Sequence, residues 1–294
     1  MRIRFLSLVT SGLFLALALP AQADSRLQQQ RSLYKKAKTE LEAGRTETWL
    51  ANQSVLRDYP LSAYLAYDAL TLRLPSASNN EVESFFNEHP DLPQLRWMKL
   101  RWLRQLADRG DWALFFTHYQ PELNFTELDC LEGQGLLATG RRNEAFLRAE
   151  KLWLSSQSQP NACDPLFASW KDAGLRTEQQ IWDRLFLAVQ ARNAGLAKYL
   201  AGEYNKPDTA RLLSEVAAKP ERLQQTALFA SNSMENRDIV SLGLRRLIRN
   251  NTNLTLQLLN HYKTRLSFTP EQKRLLARDI GTLLAKRFDA RGLQ

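Results

Sequence analysis

Cysteine, histidine and methionine are scarce in this chain, with two, three and three copies in 294 residues. The two cysteines, Cys130 and Cys163, have no histidine or further cysteine at ligand spacing, which argues against a zinc site or a redox pair. His89, His118 and His261 are scattered, so no Ser-His-Asp arrangement can be proposed. No phosphate-binding glycine loop, His-Glu-x-x-His or EF-hand loop occurs, and no metal or cofactor is expected. No block of five like charges appears, and charge interrupts every apolar run after residue 19. A further membrane span is thereby disfavoured. Sustained period-two alternation is also missing, which leaves little room for sheet.

The N-terminus has the makeup of an export leader. Arg2 and Arg4 precede an uncharged apolar run from Phe5 to Leu19, and Ala21-Gln22-Ala23 supplies small residues for cleavage. Residues 1–23 are therefore expected to be a signal peptide, with a mature chain from Asp24. Export places the two cysteines in an oxidising compartment, so one Cys130–Cys163 disulfide is expected. Closing that loop would stabilise the fold by roughly 3 to 4 kcal/mol.

The formal charge is +9 and the pI about 9.7. Losing Arg2 and Arg4 leaves 38 basic against 31 acidic residues, a net +7. Such a balance favours polyanionic partners. For an exported chain these are cell-wall polymer, peptide carboxylates or a membrane surface rather than nucleic acid. The densest basic stretch is Arg245, Arg246 and Arg249, with Leu244, Leu247 and Ile248 on the buried side, a candidate groove for anionic strands.

Apolar residues recur at spacings of three and four almost throughout, so the chain reads as all-α. Thr177 with Gln180 forms a capping box ahead of Ile181, Trp182, Leu185, Phe186 and Val189. Thr269-Pro270-Glu271-Gln272 repeats that signature before Leu276, Ile280, Leu283 and Leu284. Between Pro93 and Gly110 the apolar residues cover more than one stripe, as a helix stacked on two sides requires. Gly44, Gly110, Gly140 and Gly174 punctuate the chain at intervals of 66, 30 and 34 positions. These lie near one or two helix-hairpin units, which predicts an irregular superhelical α-solenoid. Residues 24–294 contain no linker and are expected to form one such domain.

Catalytic signatures are weak. Glu83-Ser84 lies on a helix expected to be capped by Asn79 or Asn80, Glu203-Tyr204-Asn205 sits at a helix end, and Ser32-x-x-Lys35 lacks companion motifs. The tryptophans at 49, 97, 102, 112, 153, 170 and 182 fall mostly on apolar stripes and read as core rather than as sugar-stacking platforms.

One segment is distinctive: Leu152-Trp153-Leu154, then Ser158-Gln159-Pro160-Asn161-Ala162-Cys163-Asp164, then Leu166-Phe167. This run resembles the soluble lytic murein transglycosylases, densely from Leu152 to Trp170. The resemblance implies the N-terminal superhelical region of these periplasmic enzymes, a right-handed ring segment with Cys130 and Cys163 bridged. In the family a C-terminal catalytic domain cleaves the MurNAc–GlcNAc β-1,4 bond to a 1,6-anhydro end. Its Glu-Ser and Gly-Leu-Met-Gln pattern has no counterpart here, so the chain is expected to lack that domain and to carry no catalytic residue. Peptidoglycan strands are the implied partner, with other cell-wall enzymes as further candidates. The alternative is a periplasmic helical-repeat scaffold that binds proteins and has no enzyme domain.

Overall fold

The computed structural model describes residues 18–293. The leader expected over residues 1–23 lies outside the described residues except for its last six positions, which run into the first helix. Among the described residues there are fifteen α-helices and no strand, as the apolar spacing predicts. No helix among them is long and apolar enough to cross a membrane. The chain divides into two compact units, one ending at Asp111 and one starting at Trp112, where the sequence alone suggests one uninterrupted domain.

The first unit holds α1 (Ala18–Glu42), α2 (Glu47–Leu56), α3 (Ser62–Arg73), α4 (Asn79–Glu88) and α5 (Leu95–Asp108). α1 packs on both α2 and α3 around Ala37, Leu41, Trp49, Leu56, Leu65 and Ala69. α4 is capped by Ser78, whose hydroxyl accepts from the Glu81 amide at 3.2 Å. Asn79, one of the two expected caps, instead accepts the Trp102 indole N–H at 3.2 Å and so ties α4 to α5. On α5 Leu95, Met98, Leu100, Trp102, Leu103 and Leu106 are all buried, which covers two sides of the helix, while Trp97 stays 49% exposed.

The second unit runs through α6 (Trp112–His118), α7 (Thr126–Ala138), α8 (Arg142–Trp153), α9 (Asp164–Asp172), α10 (Glu178–Gln190), α11 (Ala194–Glu203), α12 (Pro207–Ala218), α13 (Met234–Leu247), α14 (Thr252–Tyr262) and α15 (Pro270–Lys286). One continuous core extends from Cys130 to Leu284, because helices pack on others near them in the chain, such as α7 on α8, α10 on α11 and α13 on α15, rather than around a single centre. Both expected capping boxes are present, at Thr177–Gln180 and Thr269–Gln272. Asp238 on α13 joins three helices: it accepts from the Trp182 indole on α10 at 2.8 Å and from the Gln272 amide on α15 at 2.7 Å. Cys130 and Cys163 are bonded and fully buried. α7 comes close to α9 there because Gly133 has no side chain; a Cβ on it would meet Leu166 at 2.4 Å.

The helix turns share one device. Gly44, Gly110, Gly140 and Gly174 have φ of 77°, 72°, 80° and 70°. In each, the next amide reaches back across the turn, as in Gly140 N to Leu137 O at 3.1 Å and Arg141 N to Leu136 O at 2.8 Å. Two further turns have the same hydrogen bonds without glycine: Arg192 at φ 63° and Phe288 at φ 53°. A side chain in the left-handed region costs about 1 kcal/mol. Arg192→Gly is therefore expected to raise stability by about 0.5 to 1 kcal/mol and Gly140→Ala to lower it by about 1 kcal/mol. Urea denaturation of the two variants checks the opposite signs.

Glu235 supplies a pH dependence. It is 6% exposed, and Tyr204 donates to it at 2.8 Å while Lys206 pairs with it at 2.5 Å. Burial opposes its ionisation, but the Lys206 pair, a backbone amide and Tyr204 outweigh that and hold its pKa at about 2. A depressed carboxylate stabilises the fold above its unfolded value and loses that contribution as pH falls towards the folded one. Melting temperature is expected to fall between pH 5 and pH 2, and Glu235→Gln should flatten that limb of the profile.

Candidate functional site

α13 begins at Ser233, whose hydroxyl accepts from the Asn236 amide at 3.1 Å, and Glu235 complements the positive end of the helix dipole. Its middle is enclosed: Ile239, Val240, Ser241, Leu242, Gly243, Leu244 and Leu247 are all buried. Beyond Asp238, charge therefore returns only in the last turn, where Arg245 and Arg246 suit the negative end of the dipole.

The structure separates the three arginines singled out in the sequence. Arg245 points towards α15, where its Nε meets Asp279 Oδ2 at 2.6 Å and the Arg278 Nε meets Oδ1 at 2.8 Å. Arg249, just past the helix end, is exposed. Arg245 and Arg249 line one groove of about 650 Å³ with Ile248, Arg278, Asp279 and Lys286. Four cations and one carboxylate thus share the groove, two of the cations in contact with Asp279. Burial opposes the charge on Asp279, but hydrogen bonds from Arg278 and Arg245 outweigh it and hold its pKa below the usual carboxylate range.

Arg246 turns the other way. Its guanidinium donates to the Ala217 carbonyl and, at 2.9 Å, to the Val189 carbonyl, which closes the C-terminal ends of α12 and α10. Burial lowers its pKa, with Arg192, Arg249 and Arg245 adding to the effect. It borders a separate hollow of about 700 Å³ with Arg192, Lys198 and Arg211 over an alanine-lined floor. So Arg246 holds helix ends together, while Arg245 and Arg249 share a face with two residues that the sequence reading missed. Arg278 and Lys286 stand eight positions apart, two helical turns, on the side of α15 away from Leu276. That spacing was the available signal.

The groove can hold an anion but offers no general acid, because its carboxylate is kept ionised. The other carboxyl groups noted in the sequence are committed as well. Glu203 pairs with Arg176 at 2.8 Å and Lys171 at 3.2 Å; burial opposes its charge, yet these pairs keep its pKa low. Glu83 is half-buried on α4 and Ser84 exposed beside it. Ser32 and Lys35 are both exposed on α1. No group of three His, Cys, Asp or Glu side chains suited to a metal ion occurs among the described residues. Of the tryptophans, 49, 102, 153, 170 and 182 are core residues, Trp112 is half-buried, and Trp97 presents a face with the Arg96 guanidinium 5.2 Å from its centre.

No protein-family model matches the chain. It is 31% identical over 233 residues to the soluble lytic murein transglycosylase of Escherichia coli K12, covering 74% of this chain and 36% of that protein. The enzyme of the same name from Salmonella typhimurium is 34% identical over 183 residues, covering 62% of this chain and 28% of its own. The chain thus spans about a third of the length of these curated relatives. Among solved structures, an inactive mutant of the lytic transglycosylase Slt from Pseudomonas aeruginosa superposes with a TM-score of 0.85 at 50% identity, over 89% of this chain and 43% of that one. The 70-kDa soluble lytic transglycosylase of E. coli gives 0.71 at 26% identity, over 88% and 42%.

The division of labour among the arginines is testable on an immobilised polyanionic glycan such as heparin. Asp279→Asn frees two guanidinium groups and should shift elution to higher salt, whereas Arg249→Glu should shift it lower. Arg246→Met should leave elution nearly unchanged but cost about 2 kcal/mol in denaturant unfolding, because buried helix-end carbonyls lose their donor.

Proposed function

Over most of its length this chain is related to the soluble lytic murein transglycosylases, and from that kinship we propose that it forms the helical, non-catalytic part of a periplasmic enzyme of murein turnover. In this reading the second unit carries the basic α13–α15 groove as a surface for anionic glycan strands. Residues 1–23 serve as the export leader. Cleavage of the glycan belongs to a catalytic domain outside this chain.

The observation that supports this reading best is the superposition on the Pseudomonas aeruginosa enzyme across nearly nine-tenths of the chain, at half of all positions identical. The groove adds a physical reason. Murein carries carboxylates on its peptide stems, and a groove lined by four cations and one carboxylate attracts such a polymer at low ionic strength. Without a poised proton donor, it holds substrate and leaves bond breaking to other residues.

Co-sedimentation with purified sacculi tests the proposal. The bound fraction should fall several-fold between about 20 mM and 300 mM salt as the Debye length shortens. The Arg249→Glu, Arg278→Glu double variant should bind severalfold less at low salt while keeping its helical circular dichroism. Absence of binding at low salt, or binding indifferent to both salt and the variant, refutes the assigned surface.

A further inference from the structure

The segment between α8 and α9, which carries the distinctive sequence run, is irregular yet tightly restrained. The Gln134 side chain donates to the Ala162 carbonyl at 2.6 Å, Gln159 to Leu152 at 2.9 Å and Asn193 to Ser156 at 3.2 Å. The disulfide fixes its far end at Cys163. It forms one wall of a cavity of about 520 Å³ whose other walls are α9, α10 and α11.

Arg184 of α10 lines that cavity and is 4% exposed. Its guanidinium carbon lies 4.3 Å from the centre of the Trp153 ring and 5.6 Å from that of Phe167. Its hydrogen bond to the Gln157 carbonyl is long, at 3.4 Å, and its Nε has no partner. Among the described residues no carboxylate pairs with it. The neighbouring Arg176 and Lys171 already share Glu203. Burial pulls the pKa of Arg184 down to about 10, so it is still charged at neutral pH. Asp164, which lines the same cavity, supports the charge of Arg184 only at longer range and without a hydrogen bond; a buried cation with no carboxylate in contact is disfavoured, and stacking on two rings offsets only part of that. An apolar side chain would pack the same space at lower cost. The guanidinium donors are therefore only partly satisfied, on a residue that lines the cavity.

We propose that this cavity binds a small carboxylate-bearing ligand whose carboxylate pairs with the Arg184 guanidinium between Trp153 and Phe167. Tyr199, 58% exposed, and Lys171 stand at its mouth. A guanidinium fork matches a carboxylate in two parallel hydrogen bonds, and the ring edges select against bulky branched groups beside it. The source we assign, a carboxylate of a murein peptide stem, rests on the function proposed above.

The test follows the Trp153 indole N–H of the intact chain by NMR during titration with a free stem tetrapeptide and, separately, with citrate. Saturable shifts with the tetrapeptide, reversed by citrate, are expected. Arg184→Met should weaken binding roughly ten- to a hundredfold. Arg184→Lys, which keeps charge but loses the fork, should fall between and serves if the methionine variant does not fold. Citrate binding without peptide binding would support the carboxylate site and overturn its assigned source. No saturable shift with either probe at millimolar concentration, or equal affinity in the Arg184 variants, overturns the site. Sacculus binding lost with tetrapeptide binding intact would sink the function proposed above and leave this site standing.

Discussion

A helix whose last turn ends in a left-handed residue must reverse, and this constraint organises the chain. Six turns among the described residues use it, at Gly44, Gly110, Gly140, Gly174, Arg192 and Phe288. At Gly44, Gly140 and Arg192 the reversal lays α1 on α2, α7 on α8 and α10 on α11, and burial of the facing stripes then fixes each pair. Because packing is local, the second unit builds a core that runs along the chain from Cys130 to Leu284 instead of gathering at one centre. Such a core grows without the size limit of a single globule.

What the sequence revealed follows from that locality. Helix caps, apolar stripes and glycine turns are contained within a few residues, so both capping boxes, the four glycine turns and the buried side of α13 were legible. Arg192 escaped because arginine is not a residue that signals a left-handed turn, although Asn193 beside it caps the next helix. Ser78 capped α4 where Asn79 or Asn80 was expected, since Asn79 is drawn off by Trp102, 23 positions away. The basic surface was only half legible. Arg245, Arg246 and Arg249 are neighbours in sequence, but the groove is assembled with Arg278 and Lys286 from α15, and Arg246 is diverted to the helix ends at Ala217 and Val189. Arg184 gave no sequence signal, because the lack of a carboxylate in contact with it is visible only once its neighbours are placed.

The electrostatics of the groove favour holding an anion. Asp279 there, like Glu203 and Glu235 elsewhere, lies beside cations that keep it ionised, whereas burial raises the pKa of Glu132, Asp183 and Asp238 outside the groove. The cations in turn cluster at helix ends, where they satisfy carbonyls and leave part of their field facing solvent. Stability and anion attraction thus fall to different arginines of one stretch, Arg246 closing helix ends and Arg249 facing the groove.

The central claim is that this chain engages murein without breaking it. Mass-spectrometric analysis of the soluble fraction from sacculi incubated with the purified chain tests it most directly. The account predicts no 1,6-anhydro-muropeptide above the level of a protein-free control. Release of such products in proportion to added chain would contradict it.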